Sequence, residues 1–207
     1  VAEEGRDDVE EVEEKPAFKF NDGQQSAINN IGQSLKYEQY TRQLLLGRAG
    51  TGKTTTFQQV LKDYQHYLYR IGDSRPIAIC APTNKAVKVA KKMAESKGLS
   101  GLEFSTIHSL LGLTVDEKDG SKQLSKREIE PLDDYAAIII DEASMVDEKI
   151  TDHFFTEAAY TNVIGVGDPL QLFPVKCKCS PFFNYFEKQR THTLTEVMRQ
   201  QGSPAGY

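Results

Sequence analysis

Apolar and polar positions follow one another in two periods along this chain, and the switches between them lay out its elements. Asp22 is placed as the N-cap of a helix that carries Ala27, Ile28, Ile31 and Leu35 at helical spacing. Leu44 to Leu46 is a short apolar run, the first buried strand. From Lys53 to about Arg70 the pattern is helical again, with Phe57, Val60, Leu61 and Tyr64 on one face, and Gly72-Asp73-Ser74 with Pro76 ends it. Ile77 to Ala81 is the second strand. Asn84 to Lys97 sets Ala86, Val87, Ala90 and Met93 against five lysines, an amphipathic helix whose basic face is most simply a solvated one. Ala137 to Ile140 reads as the third strand, followed by a helix from about Asp147 to Ala159 and a strand from Val163 to Val166. A helix around Ser180 to Glu187 and a last strand near Thr193 close the series.

Short strands that are apolar on both sides and separated by helices predict an α/β fold. Its parallel sheet is covered on both faces, and ligands bind at the carboxyl ends of the strands. The polar stretch between Leu111 and Pro131, with Lys118-Asp119-Gly120-Ser121 at its middle, reads as a small hairpin inserted in that plan. It holds no aromatic side chain that could stack on a base.

The chain has 207 residues and a formal charge of −5. Eight of the acids and one arginine lie in residues 1–14, a local −7 that leaves 24 basic and 22 acidic side chains elsewhere. The body is therefore compatible with phosphate-backbone partners, and residues 1–16 are expected to be an acidic, disordered tail, solvated or engaged with a partner. Residues 17–207 are expected to form one domain. Cys80, Cys177 and Cys179 offer no metal spacing beyond a lone C-x-C and are read as reduced thiols. With no run of 18 apolar residues and no charged-then-apolar leader, a soluble, intracellular, cytoplasmic protein without membrane contact is expected.

Candidate chemistry begins between the first strand and the helix after it. Residues 47–54 read Gly-Arg-Ala-Gly-Thr-Gly-Lys-Thr, a complete G-x-x-x-x-G-K-T phosphate loop. A polyphosphate needs several backbone N–H groups in a tight turn, which Gly47, Gly50 and Gly52 permit, with the positive end of a helix behind them. ATP is thus expected on Gly47, Ala49, Gly50, Thr51, Gly52, Lys53, Thr54 and Thr55, with Lys53 on the β- and γ-phosphates and Thr54 holding Mg²⁺. The strand ending at Ile140 runs into Asp141-Glu142-Ala143-Ser144. A carboxylate at a core strand tip is costly unless it serves something, so Asp141 is assigned to the metal waters and Glu142 to the attacking water. Gln171, after Gly167-Asp168-Pro169-Leu170, is the candidate sensor of the γ-phosphate; Gly-Asp-Pro alone would be an ordinary turn.

These segments together resemble the first motor domain of a superfamily 1 DNA helicase, nearest to the RecD-like and phage Dda-like groups. The phosphate loop resembles the first helicase motif. Ala81-Pro82-Thr83-Asn84-Lys85-Ala86 and Ser105-Thr106-Ile107-His108-Ser109 resemble the two strand-contacting segments. Asp141 to Ser144, Gly167-Asp168-Pro169-Leu170-Gln171-Leu172 and Leu194-Thr195-Glu196-Val197-Met198-Arg199 resemble the second, third and fourth motifs, and Phe20 to Gln24 the adenine-reading segment, with Gln24 in the contacting place. The resemblance covers about residues 18–201.

It implies a RecA-like three-layer α/β/α domain and a catalytic set of Lys53, Glu142, Gln171 and Arg199. It also implies single-stranded DNA held by Pro82, Thr83, Asn84, Lys85, Thr106 and His108, and 5′-to-3′ movement. Outside the motif, His108 would be read as a satisfied core histidine. The inserted hairpin occupies the place of a duplex-splitting pin. Phe173 stands where the family usually has proline. A second motor domain, or a partner chain supplying it, is expected to complete the nucleotide site, and replication or repair proteins are implied partners. A phage or bacterial cytoplasm follows from the phage likeness, with nucleus and mitochondrion open. The competing readings are a P-loop ATPase switch without unwinding, a binding module with a vestigial loop, and a nucleotide kinase, for whose lid and acceptor site nothing here stands.

Overall fold

The computed structural model describes residues 19–118, 121–170 and 180–198, with the side chains of 115–126 left aside. The acidic tail, Gln171, Phe173, Cys177, Cys179 and Arg199 lie outside the described residues.

The chain runs α1 (Asp22–Tyr37), β1 (Arg42–Gly47), α2 (Lys53–Ile71), β2 (Ile77–Ala81), α3 (Asn84–Ser96), β3 (Leu102–Thr106) and α4 (Ile107–Leu110). Then follow β4 (Leu113–Lys118), β5 (Ser121–Lys126), β6 (Ala137–Ile140), α5 (Glu148–Glu157), β7 (Val163–Gly167) and β8 (Thr191–Leu194). Six strands form one all-parallel sheet in the order β3-β2-β6-β7-β1-β8. The antiparallel pair β4-β5 stands apart from it.

Successive strand residues serve opposite faces, as the two-residue period requires. Ile77, Ile79, Ile139, Ile164 and Val166 point into a core shared with α1 and α2, where Ala27, Ile31, Val60, Leu61 and Tyr64 close over them. Ala78, Cys80, Ile138, Ile140 and Val163 point the other way, against α4, α5 and Phe182. Burying each large apolar side chain contributes about 1.5–3 kcal/mol, so both faces of the sheet hold it in place. The result is three layers, as the sequence predicts.

Three expectations are corrected. The α1 cap is Asn21, not Asp22. Asn21 Oδ1 accepts from Gln24 N at 2.8 Å while Gln24 Oε1 accepts from Asn21 N at 3.1 Å, a reciprocal capping box that leaves Asp22 free to favour the helix dipole from the first turn. The helix expected over Ser180–Glu187 is a single 3-10 turn, Pro181–Tyr185. Its aromatics stack rather than follow a helical stripe: Phe155 and Tyr185 lie parallel at 4.3 Å, and Phe182 sits 5.0 Å from Phe155. Ala137–Ile140 is the fourth strand of the parallel sheet in chain order, not the third, because Leu102–Thr106 forms an edge strand on β2 whose mixed polar pattern hides it. No helix among the described residues is long and apolar enough to cross a membrane.

Candidate nucleotide site and strand-contact face

The phosphate loop leaves the carboxyl end of β1, which lies between β7 and β8, with Leu46 beside Gly167 and Gly47 beside Leu194. Its glycines are required for different reasons. A Cβ on Gly47 would stand 2.4 Å from Thr51 Oγ1, and one on Gly52 would stand 2.3 Å from Gln24 Nε2. Gly50 and Gly52 also hold φ of +81° and +78°, where other residues are strained. Thr51, almost fully buried, ties the turn by donating from Oγ1 to Arg48 O at 2.8 Å.

Gln24 has a task the sequence did not announce. It is fully buried, and its Nε2 donates to Thr51 O at 3.0 Å while its Oε1 serves the α1 cap. The residue assigned to adenine thus also latches α1 to the loop. From the other side Met198 N donates to Gly50 O at 2.8 Å and Asn21 Nδ2 reaches Met198 Sδ at 3.5 Å, so the segment after β8 lies across the loop.

Lys53 opens α2 with its Nζ on Gly47 O at 2.5 Å and Arg48 O at 3.1 Å. Burial lowers its pKa, while the nearby Asp168 and Asp141 carboxylates act to raise it. Asp141 follows Ile140 at the tip of β6. Its backbone N–H donates to Cys80 O at 2.8 Å, and its Oδ1 accepts from Glu142 N at 2.9 Å. Burial pushes the Asp141 pKa up; Glu142 adds to this, while the Glu142 N–H and Lys53 oppose it. A carboxylate so placed, with one protein donor and a lysine nearby, fits a cation and its phosphate. Among the described residues no cluster of three His, Cys, Asp or Glu could hold a metal alone. Mg²⁺ needs no such cluster, since it takes one or two protein oxygens and completes its shell from phosphate and water. Thr54, exposed at the start of α2, is the other candidate ligand.

Glu142 adopts φ 52° and ψ 37°, one of two non-glycine residues with positive φ among those described. A glutamate pays about 1 kcal/mol or more to stay there, and such conformations gather at functional sites. Asp168, passed over as part of a turn, is the third carboxylate of the site: 6% exposed at the end of β7, with Oδ1 accepting from Leu170 N at 2.9 Å. The clue was available, since it ends an apolar strand as Asp141 does.

The strand-contact candidates gather three strands away from β1. Ala81 pairs in register with Thr106, so Pro82 to Lys85 and Thr106 to His108 leave the same edge of adjacent strands. From β2 to β1 is three strand spacings, about 15 Å. Thr83 Oγ1 accepts from Ala86 N at 3.2 Å and Thr106 Oγ1 from Ser109 N at 3.1 Å, so both hydroxyls cap helices. Asn84 and Lys85 are exposed. His108 is partly exposed, on α4, without a hydrogen bond to any described residue, which removes the reading of a satisfied core histidine.

A family of AAA domains (AAA_30) matches residues 19–205, nearly the whole chain and every segment just described. The chain belongs to this family. It is a P-loop ATPase domain by that membership and by the loop geometry. The ATP-dependent DNA helicase dda of Enterobacteria phage T4 is 32% identical over 186 residues, spanning 87% of this chain and 39% of the relative. The uncharacterized protein R530 of Acanthamoeba polyphaga mimivirus is 31% identical over 198 residues, spanning 87% and 39%. Among solved structures, the Pif1 helicase of Candida albicans superposes with a TM-score of 0.57 at 21% identity, over 88% of this chain and 41% of its own, a likeness of fold. The AAA domain thus spans about two-fifths of the length of the curated relatives it matches. Its resemblance to the superfamily 1 helicases, read from the motifs, is borne out by these relatives.

Proposed function

We propose that this AAA domain is the N-terminal ATP-binding motor domain of an ATP-dependent DNA helicase, turning Mg-ATP hydrolysis into 5′-to-3′ movement along single-stranded DNA and into duplex unwinding. The direction comes from the resemblance alone. The reading is carried by one link: the backbone N–H of Asp141 donates to Cys80 O, two residues before Pro82. A carboxylate of the nucleotide site is thereby tied to the strand that ends in the DNA-contact segment.

Lys53 exchanges the carbonyls of Gly47 and Arg48 for the β- and γ-phosphates, while the loop N–H groups and the start of α2 hold the remaining charge. Thr54 and Asp141 would hold Mg²⁺, which would supply positive charge to the phosphate oxygens. Glu142, fixed beside Asp141 by its left-handed backbone, accepts a proton from the attacking water, and Gln171 and Arg199 report on and stabilise the γ-phosphate. Thr83, Asn84, Lys85, Thr106 and His108 position DNA phosphates without reading bases.

The test is ATP hydrolysis by the chain with and without a single-stranded oligonucleotide, with Lys53→Ala as control. Lys53-dependent turnover that rises with DNA supports the reading. Nucleotide binding indifferent to DNA at every concentration would replace it with a P-loop switch that regulates an assembly.

A further inference from the structure

Helix α3 is held to the body by little apolar surface: Ala94 is its one buried residue, with Ala90 half-buried beside the core. Its outer surface is strongly cationic. Lys85, Lys88, Lys91 and Lys92 line one shallow groove with Val89 between them and one acid, Glu95, at its end, and Lys97 follows at the C-cap. All are exposed, and none has an ion pair with a described residue. The first turn of α3 carries lysine and no acid, and the last turn carries no base, the reverse of what the helix dipole favours. This arrangement suits an anionic segment lying along the helix.

The described chain begins beside it: Phe20 lines one groove with Lys97, Lys62 and Leu99, at the carboxyl end of α3. Upstream, residues 7–15 read Asp-Asp-Val-Glu-Glu-Val-Glu-Glu-Lys, acid pairs separated by single valines at a three-residue interval. On α3, Lys85, Lys88 and Lys91 recur every three residues with the opposite charge, and Val89 and Met93 are exposed apolar positions beside them. Helix α3 is about 20 Å long, and the twelve residues Glu3–Glu14 reach about 40 Å extended, so the segment can cover the whole stripe.

We propose that the acidic segment Glu3–Glu14 docks in cis along the lysine stripe of α3 and competes there with the phosphate backbone of single-stranded DNA. The competition rests on the function proposed above; the docking does not. A segment tethered a few residues from its site acts at an effective concentration in the millimolar range, enough for weak, salt-sensitive ion pairs to matter.

The whole chain is treated with a carbodiimide that joins carboxylates to amines in contact, at about 50 mM and about 500 mM salt, and the joined peptides are mapped. Expected are links within one chain from Glu10, Glu11, Glu13 or Glu14 to Lys88, Lys91 or Lys92, lost at the higher salt. Links spread equally over Lys36, Lys149 and Lys188, or found only between two chains, would overturn the docking. Affinity for an oligothymidylate is then compared with that of the E10Q/E11Q/E13Q/E14Q chain. We expect it to rise about tenfold at low salt and to converge at high salt. An unchanged affinity would overturn the competition. No DNA binding by either chain, with the links intact, would overturn the helicase reading and leave the docking standing.

Discussion

Replacing Gly52 by alanine separates two costs that a glycine in a phosphate loop usually combines. The first is conformational: at φ +78° the new side chain sits in the left-handed region. Gly72, the C-cap of α2, has nearly the same backbone (φ +73°), but a Cβ there meets nothing within 4 Å. Gly72→Ala therefore measures the backbone penalty by itself, about 1 kcal/mol after the entropy that alanine removes from the unfolded chain. The second cost belongs to Gly52. Its Cβ would lie 2.3 Å from Gln24 Nε2, so the latch on Thr51 O must open in a fully buried place, adding about 1–3 kcal/mol. The total of about 2–4 kcal/mol lowers the thermal midpoint by about 5–15 °C.

A double-mutant cycle in urea decides the matter. Gln24→Ala removes the atom that is struck, so Gly52→Ala in that background should fall back to the cost of Gly72→Ala, a coupling of at least about 1 kcal/mol. If Gly52→Ala costs the same with and without Gln24, agreeing within about 0.5 kcal/mol, the latch is not what the glycine protects and the reasoning fails.

Three further outcomes follow from the same site. Glu142→Asn places a residue tolerant of the left-handed region at φ 52°; it should gain up to about 1 kcal/mol in urea while abolishing ATP turnover, and a loss of stability would contradict the strain argument. Asp141 has its pKa raised by burial, so its ionised form weakens the fold, with nothing lost below the ordinary carboxylate pKa and the full loss above the raised one. Asp141→Asn should thus match the parent at about pH 3 and exceed it in stability at about pH 7, as unfolding followed across pH would show; a lower stability at pH 7 would sink the assignment. Phe154→Ala empties a site with no exposure between Phe155 and Phe182. It should cost about 3–5 kcal/mol and leave nucleotide affinity unchanged in whatever remains folded, measured by calorimetry.

The sequence by itself determined the plan of this protein. A phosphate loop between an apolar strand and a helix, and carboxylates ending two further apolar strands, are local facts of composition and order. Strands apolar on both sides admit a covered parallel sheet and little else. It could not determine what depends on partners distant along the chain. Leu102–Thr106 is polar enough to pass for a loop, and is a strand because β2 supplies its hydrogen bonds. Ser180–Glu187 suggested a helix, and is a single turn because Phe182 and Tyr185 gain more by packing on Phe155. Gln24 and Thr51 lie 27 positions apart, so only packing could show that the adenine candidate also latches the loop. The pull of Asp141 and Asp168 on Lys53 likewise exists only once β1, β6 and β7 lie side by side. Periodicity and turn chemistry are written residue by residue, whereas burial and charge coupling arise from what the rest of the chain brings near.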